Sequence, residues 1–341
     1  MHTLCILQCK YLSKNDISQI DNFYICINKN YMTITQMEYV IALDTYRHYV
    51  TASEKCFVTQ PTLSMQVQKL EEEIGTLIFD RSKKPLKPTK IGTQFIEKAR
   101  EILREVKQLE AIVSAERHSI EGTFHIGIIP TLAPYLLPLF LPKFVKENPN
   151  TKLIIEELES LEMIRRIKEE TIDLGIIVTP LQEKSLREIP LFNEPFLVYL
   201  PEGHLLSTKD KLTSNDLNND NALVLSEGHC FRNQSLKICN QTASTETTGY
   251  EYLSGSIETL KRMVDKGLGY TLVPELSVIG EEDNKNIKRF QAKEPVREVS
   301  LACHKSFAKE RLIEKMRETI LENIPEKFSK NEDYIRVRWR S

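Results

Sequence analysis

The sequence contains no apolar run close to the ~18 residues that a membrane-spanning helix needs, so it offers no membrane segment. No Cys-x-x-Cys pair and no cysteine–histidine cluster has zinc spacing, so no metal site and no cofactor is expected. Charge of one sign is not in excess: 46 Lys and Arg stand against 48 Asp and Glu, a net of −2. A global polycation is thereby excluded, and any nucleic-acid footprint must be local. With 12 glycines and 15 prolines there is no collagen-like or low-complexity tract. The seven cysteines are odd in number and scattered, which is no disulfide framework and fits a reducing, cytoplasmic setting.

What is present is a chain of 341 residues, long enough for two or three domains with substantial cores. Residues 1–31 lack both a signal-peptide pattern and a sustained period, and read as an N-terminal extension outside the fold. A regular pattern opens at Met32. Thr35 and Glu38 have capping-box spacing, and Met37, Val40 and Ile41 mark a buried helix face. A short second helix follows, with Ala52 and Cys56 on one side.

Thr59 then caps a third helix with Pro61 in its first turn. Leu63, Val67, Leu70 and Ile74 form its core stripe. Its other face opens with Gln60, Thr62, Ser64 and Gln66, then Lys69: short polar side chains suited to entering a major groove end-first. Leu77–Phe79 and Leu86 fit a small hairpin wing, in which Arg81, Lys83, Lys84, Lys87 and Lys90 concentrate positive charge. Such a run is commonly a solvated face. Beside a helix-turn-helix it reads as a phosphate clamp. Residues 32–92 are therefore read as a winged helix-turn-helix.

A long helix follows from Thr89 or Thr93 to about residue 119. Phe95, Ala99, Ile102, Val106, Leu109 and Val113 step by four and three, an a/d seam that calls for a partner helix. Residues 93–121 are assigned as a dimerising linker, and a symmetric dimer would read a near-palindromic site on double-stranded DNA.

After Gly122 strands alternate with helices. Thr123–Ile129, Leu153–Leu158 and Leu174–Val178 are strand-like, with helices near 135–147 and 161–170 between them: a βαβ succession and a parallel sheet. Thr131 and Ser160 fall at strand ends, where ligands bind in such sheets or where helices are merely capped. Phe196–Leu200, Ala222–Leu225, Tyr270–Val273 and Val299–Cys303 are further strands. Helices are expected from Ser256 to about 266 and over 308–324. The region 122–327 divides into subdomain I (122–192 and 299–327) and subdomain II (193–298), leaving a cleft. The tail 328–341 has no clear period.

One stretch stands out: Gly228-His229-Cys230-Phe231-Arg232-Asn233, continuing to Cys239. Arg232, a helix start and a protonated His229 would all favour the Cys230 thiolate, the form that attacks peroxide. The plain alternative is two buried core residues. In a helix the two thiols would lie on opposite faces, about 13 Å apart along the axis. A disulfide needs Cα atoms within about 7 Å, so oxidation would have to unwind the helix and the pair would act as a switch.

The head motifs Gln60-Pro61-Thr62-Leu63-Ser64, Lys69-Leu70-Glu71, Phe79-Asp80-Arg81 and Thr89-Lys90-Ile91-Gly92 resemble those of LysR-type transcriptional regulators. The cysteine stretch and Ile129-Pro130-Thr131-Leu132-Ala133-Pro134-Tyr135 resemble the hydrogen-peroxide-sensing members. The resemblance implies a winged head, a linker helix and a two-subdomain α/β regulatory domain of periplasmic-binding-protein type. It implies Cys230 as the peroxide-reactive thiol and Cys239 as its resolving partner. Thr131, Ser160, His229, Arg232, Asn233 and Arg297 would form the peroxide pocket, with Asn233 where an acidic residue is usual. Gln60, Pro61, Thr62, Ser64, Lys69, Arg81, Lys83 and Lys84 would meet DNA. The implied partners are DNA, a second copy in a homodimer or homotetramer, RNA polymerase and a cellular dithiol that resets the sensor. Peroxide turns over once per reduction, so no enzyme is expected. The rival reading is a regulator that binds a small organic effector in the cleft; a thiol peroxidase or a solute-binding protein would have no use for a basic winged head.

Overall fold

A computed structural model describes residues 32–114, 120–217, 222–239, 255–281, 283–291, 293–328 and 334–340. The extension 1–31, the far end of the expected linker helix and part of the tail lie outside them. The chain forms two compact units, divided between Leu109 and Glu110.

The first unit is helical. α1 (Ile34–Tyr46) is capped by Thr33, whose hydroxyl accepts from Gln36 N while the Gln36 side chain accepts from Thr33 N. The capping box is therefore Thr33–Gln36 and not Thr35–Glu38; such a cap contributes about 1 kcal/mol. α2 (Tyr49–Lys55) and α3 (Gln60–Ile74) complete the helix-turn-helix. Val40, Leu43, Ala52, Leu63, Val67 and Leu70 are wholly buried together. Ile74 and Cys56 pack at the margin of this core.

The wing is a two-residue ladder, β1 (Phe79–Asp80) against β2 (Lys87–Pro88). Buried Glu71 on α3 ties it down: Oε1 accepts from Ile78 N and Phe79 N, and Oε2 from Arg81 at 2.7 Å. α4 (Lys90–Ser114) begins under the Thr89 hydroxyl, which accepts from Gly92 N. A Cβ at Gly92 would stand 1.9 Å from Ile78 O, so only glycine lets this helix approach the wing.

The second unit is built on one ten-stranded sheet. β3 (Gly122–Ile128), β4 (Thr151–Glu157) and β5 (Leu174–Thr179) are parallel, linked through α5 (Ala133–Glu147) and α6 (Ser160–Lys168). The sheet is mixed, not parallel throughout. β11 (Glu294–His304) lies antiparallel to both β5 and the 14-residue β6 (Leu186–Tyr199). Both long strands were expected as short ones. Arg187, Glu188, Glu194, Arg297 and Glu298 interrupt their apolar pattern, but these groups are satisfied in pairs: Arg187 meets Glu310 at 2.7 Å and Arg297 meets Glu194 at 2.7 Å.

β6 runs through two separate hydrophobic cores, and β11 beside it contributes to the first. The first holds Phe140, Phe144, Met163, Leu174, Val299 and Leu301. The second holds Phe196, Val198, Phe231, Leu260, Tyr270 and Leu272. The second core is closed by β7 (Lys211–Leu212), β8 (Ala222–Leu223), α7 (Cys230–Ile238), α8 (Ile257–Val264), β9 (Tyr270–Pro274) and β10 (Ile287–Phe290). α9 (Glu310–Asn323) packs on the first. The tail departs from expectation: β12 (Tyr334–Arg336) pairs in parallel with Glu294–Val296 of β11, and Trp339 is buried.

Candidate functional site

The site forms at the N-terminus of α7. After β8 the chain turns at Gly228, whose φ is +95°, and His229 takes the N-cap position with Cys230 as the first helical residue. A Cβ at Gly228 would also lie 2.2 Å from the Glu159 carboxylate. The backbone conformation is what requires glycine, because the Glu159 carboxylate ends a half-exposed side chain that can give way.

Cys230 is buried in the first core. Burial pushes its thiol above the ordinary range, opposed by the Ser160 hydroxyl and the positive charge of Arg297. Ser160 is itself buried at the start of α6, and its Oγ has no regular hydrogen-bond partner among the described residues. Of the reasons the sequence suggested, the helix start holds, since the backbone amides of Cys230 and Phe231 favour the anion, but the two charges do not. Burial lowers the His229 pKa, so the imidazole is neutral at neutral pH, with Glu159 3.8 Å from its Nε2. The guanidinium of Arg232 donates to Leu225 O at 3.0 Å. The cation that serves the thiol is Arg297.

Arg297 is wholly buried on β11. Its Nη1 donates to Thr131 Oγ1 at 2.8 Å and Nη2 to Thr131 O at 3.0 Å. Nε and Nη2 both meet Glu194 Oε2, while Glu194 Oε1 accepts from Leu276 N. Burial pushes the Glu194 carboxyl up; the guanidinium and the amide pull it the other way. The guanidinium lies 5.2 Å from the centre of the Phe231 ring, which stacks on Phe196. Arg297 is therefore a fixed positive charge with no freedom to turn away.

Cys239 caps the far end of α7 in the second core. Burial raises its pKa to about 11, moderated by a hydrogen bond from Tyr270. Between the thiols, Gln234 Oε1 and Ser235 Oγ are buried and lack hydrogen-bond partners among the described residues. Each such atom costs about 1–3 kcal/mol, in a helix of nine residues that is too short to be stable alone.

Thr131, Ser160, Cys230 and Arg297 thus converge, while the ring of His229, next in sequence to Cys230, faces Glu159 and Gly255. Arg232 and Asn233 do not join them. Asn233 is on the exposed side of α7, and its Nδ2 donates to Trp339 O. Sequence reading missed Glu194, although a carboxylate inside an otherwise apolar strand was the signal for it. It also missed Tyr135, whose hydroxyl donates to Glu258 at 2.9 Å, joining α5 to α8.

In the head, Gln60 and Pro61 are exposed at the N-terminus of α3, with Thr62 and Ser64 half-buried behind them. The Thr62 hydroxyl is 2.8 Å from that of Thr59. Lys83 and Lys84 are exposed on the wing. Arg81 is also exposed but is held by Glu71, so its charge is positioned as well as presented. On α4, Phe95 packs against the head's own core, as does buried Ile96, and Ala99 is buried. Ile102 and Leu109 are exposed, Val106 is half-buried and the Val113 side chain lies outside the described residues.

A winged helix-turn-helix carrying a long helix, together with an α/β unit of two cores around a buried thiol, defines a DNA-binding regulator with a sensing domain. Residues 34–93 match the family model for bacterial regulatory helix-turn-helix proteins of the lysR family, and residues 117–325 match that for the LysR substrate binding domain. The chain belongs to the LysR family of transcriptional regulators, in its OxyR branch. It is 35% identical over 272 residues to a hydrogen peroxide-inducible genes activator of Haemophilus influenzae, covering 79% of this chain and 90% of that one. It is 34% identical over 256 residues to the DNA-binding transcriptional dual regulator OxyR of Escherichia coli K12, covering 75% and 83%. A full-length OxyR variant from Pseudomonas aeruginosa matches in structure with a TM-score of 0.73 at 33% identity, covering 86% of this chain and 99% of that one.

Proposed function

We propose that this peroxide-sensing regulator reads hydrogen peroxide at Cys230 and stores the signal as a Cys230–Cys239 disulfide. The carrying observation is that the two thiols sit at opposite ends of one short, under-satisfied helix, each in a different core. The Cys230 thiolate attacks one peroxide oxygen, the O–O bond breaks, and hydroxide leaves and is protonated. Ser160 and Arg297 favour the thiolate, and Thr131, fixed by Arg297, offers a hydroxyl to the leaving oxygen. Cys239 sulfur then displaces water from the Cys230 sulfenic acid. Two thiols supply two electrons and one peroxide becomes two waters.

A bridge cannot span an intact α7, because nine residues of helix set the two Cα atoms about 13 Å apart along the axis, and a disulfide needs them within about 7 Å. The helix must unwind, and the surface it shares with both cores must repack. A cellular dithiol returns two electrons and resets the sensor, so each reduction permits one turnover and the protein is not an enzyme. The head binds a near-palindromic site on double-stranded DNA as part of a homodimer or homotetramer held through α4, and repacking alters contact with RNA polymerase. Among the described residues no helix is long and apolar enough to cross a membrane, and a thiol pair reset by a dithiol belongs to the cytoplasm.

The test is mass spectrometry of the full-length protein after a brief, low peroxide dose. A Cys230–Cys239 linkage is expected, with Cys56 and Cys303 left as thiols. A peroxide response that survives Cys230→Ser would instead favour an organic effector in the cleft.

A further inference from the structure

We propose that the C-terminal segment Tyr334–Arg340 is a latch on the cysteine helix: it holds α7 wound and must let go before the two thiols can join. The second half of this statement rests on the redox reading above; the first does not.

The segment lies along α7 and is bound by it. Three α7 side chains donate to three successive tail carbonyls: Gln234 to Val337 O at 2.5 Å, Lys237 to Arg338 O at 2.9 Å, and Asn233 to Trp339 O at 3.3 Å. No backbone group of the helix is consumed. The contacts read the helical spacing itself, because residues 233, 234 and 237 share a face only while α7 is wound.

The tail is anchored on its other side to the sheet. Tyr334–Arg336 extend β11 in parallel, and Val337 N donates to Val296 O. Trp339 is buried in the first core, its Nε1 donating to Val178 O at 3.1 Å. Val337 packs against the second core. Arg336 pairs with Glu298, and Arg340 reaches Leu181 O and Glu183. The latch therefore ties the switching helix to β11, the strand that carries Arg297, and to both cores at once.

Asn233 now has a reason. A carboxylate at this position has no N–H to give to the Trp339 carbonyl and would repel it, whereas the amide donates. Unwinding α7 disperses all three donors, so the bridged form and the docked tail exclude one another. The latch opposes oxidation and thereby raises the peroxide level at which the sensor responds.

Trp339 is the chain's one tryptophan, so its fluorescence reports the latch directly. In the full-length protein, peroxide is expected to shift the emission to the red in step with Cys230–Cys239 linkage, and a dithiol to reverse both. Linkage with unchanged emission overturns the latch and leaves the redox pair standing. Should no linkage form, the redox reading falls and the latch is decided on reduced protein. There Asn233→Asp, and separately a chain ending at Phe328, are expected to raise amide hydrogen exchange in α7 about tenfold, with β3 and β4 unchanged. Unchanged α7 exchange in both overturns the proposal. Where the shortened chain exchanges faster everywhere, Asn233→Asp decides by the same criterion.

Discussion

Cys230 and Cys239 bound one nine-residue helix and belong to different hydrophobic cores, Cys230 to that around Val299 and Cys239 to that around Phe196. Joining the sulfurs therefore cannot be a local event. In the proposed switch it would remove a helix and draw on the packing of both cores, and so would couple a two-electron oxidation to a change of shape. The Cys230 thiol is held above its ordinary range by burial. At neutral pH the thiol predominates, and each unit of pH below the thiol pKa costs tenfold in thiolate. The rate of Cys230 oxidation by low peroxide should accordingly rise about tenfold per pH unit through neutrality. Quenched-flow alkylation with mass spectrometry measures this, and a flat profile would show a thiolate already formed.

The Arg297–Glu194 pair is wholly buried. Glu194→Gln keeps shape but leaves a positive charge without its counter-ion in the interior. Loss of one partner of such a pair costs about 3–5 kcal/mol. The urea midpoint should fall accordingly, and Cys230 oxidation should slow as Thr131 and Arg297 lose their common orientation. An unchanged midpoint would mean that Glu194 is protonated in the native protein.

Much of this was legible in the sequence and some was not, for identifiable reasons. The helix-turn-helix was readable because Leu63, Val67 and Leu70 keep an unbroken helical period. Thr131 and Ser160 were legible because each follows a strand-like run, and Cys230 because it follows Gly228-His229 with a second cysteine nine residues on. The length of β6 and β11 was hidden because Glu194 and Arg297 look like surface residues until they are seen to satisfy each other. The tail was hidden because only Val337 and Trp339 of its short run face inward, and their partners, from Val178 and Gln234 to Val296, are all far away in sequence. The helix start at Cys230 was read correctly, but the charge beside the thiol was not: it comes from Arg297 on β11 and not from Arg232 or His229.

His229 is buried, and its pKa in the folded protein is depressed. Between the folded and the ordinary imidazole pKa the unfolded chain binds the extra proton. Stability is therefore full above the ordinary value and is lost as pH falls through it. Denaturant midpoints taken between about pH 7 and pH 5.5 should fall less steeply for His229→Asn than for the parent. Parallel curves would place His229 in solvent.

Gly228 tests the turn that presents Cys230. Gly228→Ala meets both a left-handed backbone and the Glu159 carboxylate. The backbone part costs about 1–2 kcal/mol. Adding Glu159→Ala should recover only the steric remainder, so the double variant stays less stable than Glu159→Ala alone by the backbone cost. Full recovery in thermal unfolding would show that the turn can adopt another conformation.

The head and α4 separate three kinds of contact. Leu109 is exposed on α4, where the seam calls for a partner helix. Leu109→Glu should weaken self-association in sedimentation velocity and reduce DNA affinity through the lost second head. Lys83→Ala and Lys84→Ala, on the exposed wing, should each lower the slope of log K against log salt by about one, with little change in sequence preference. Thr62→Ala, at the end of α3 that carries Gln60 and Ser64, should do the reverse, relaxing discrimination among operator variants while leaving the salt slope alone. Arg81 differs from all of these, because its guanidinium also serves buried Glu71, which holds Ile78 and Phe79. Arg81→Ala should therefore lower the thermal stability of the head along with DNA affinity, and Arg81→Lys should restore the charge without the full stability. Loss of affinity in Arg81→Ala at unchanged stability would assign this side chain to DNA alone.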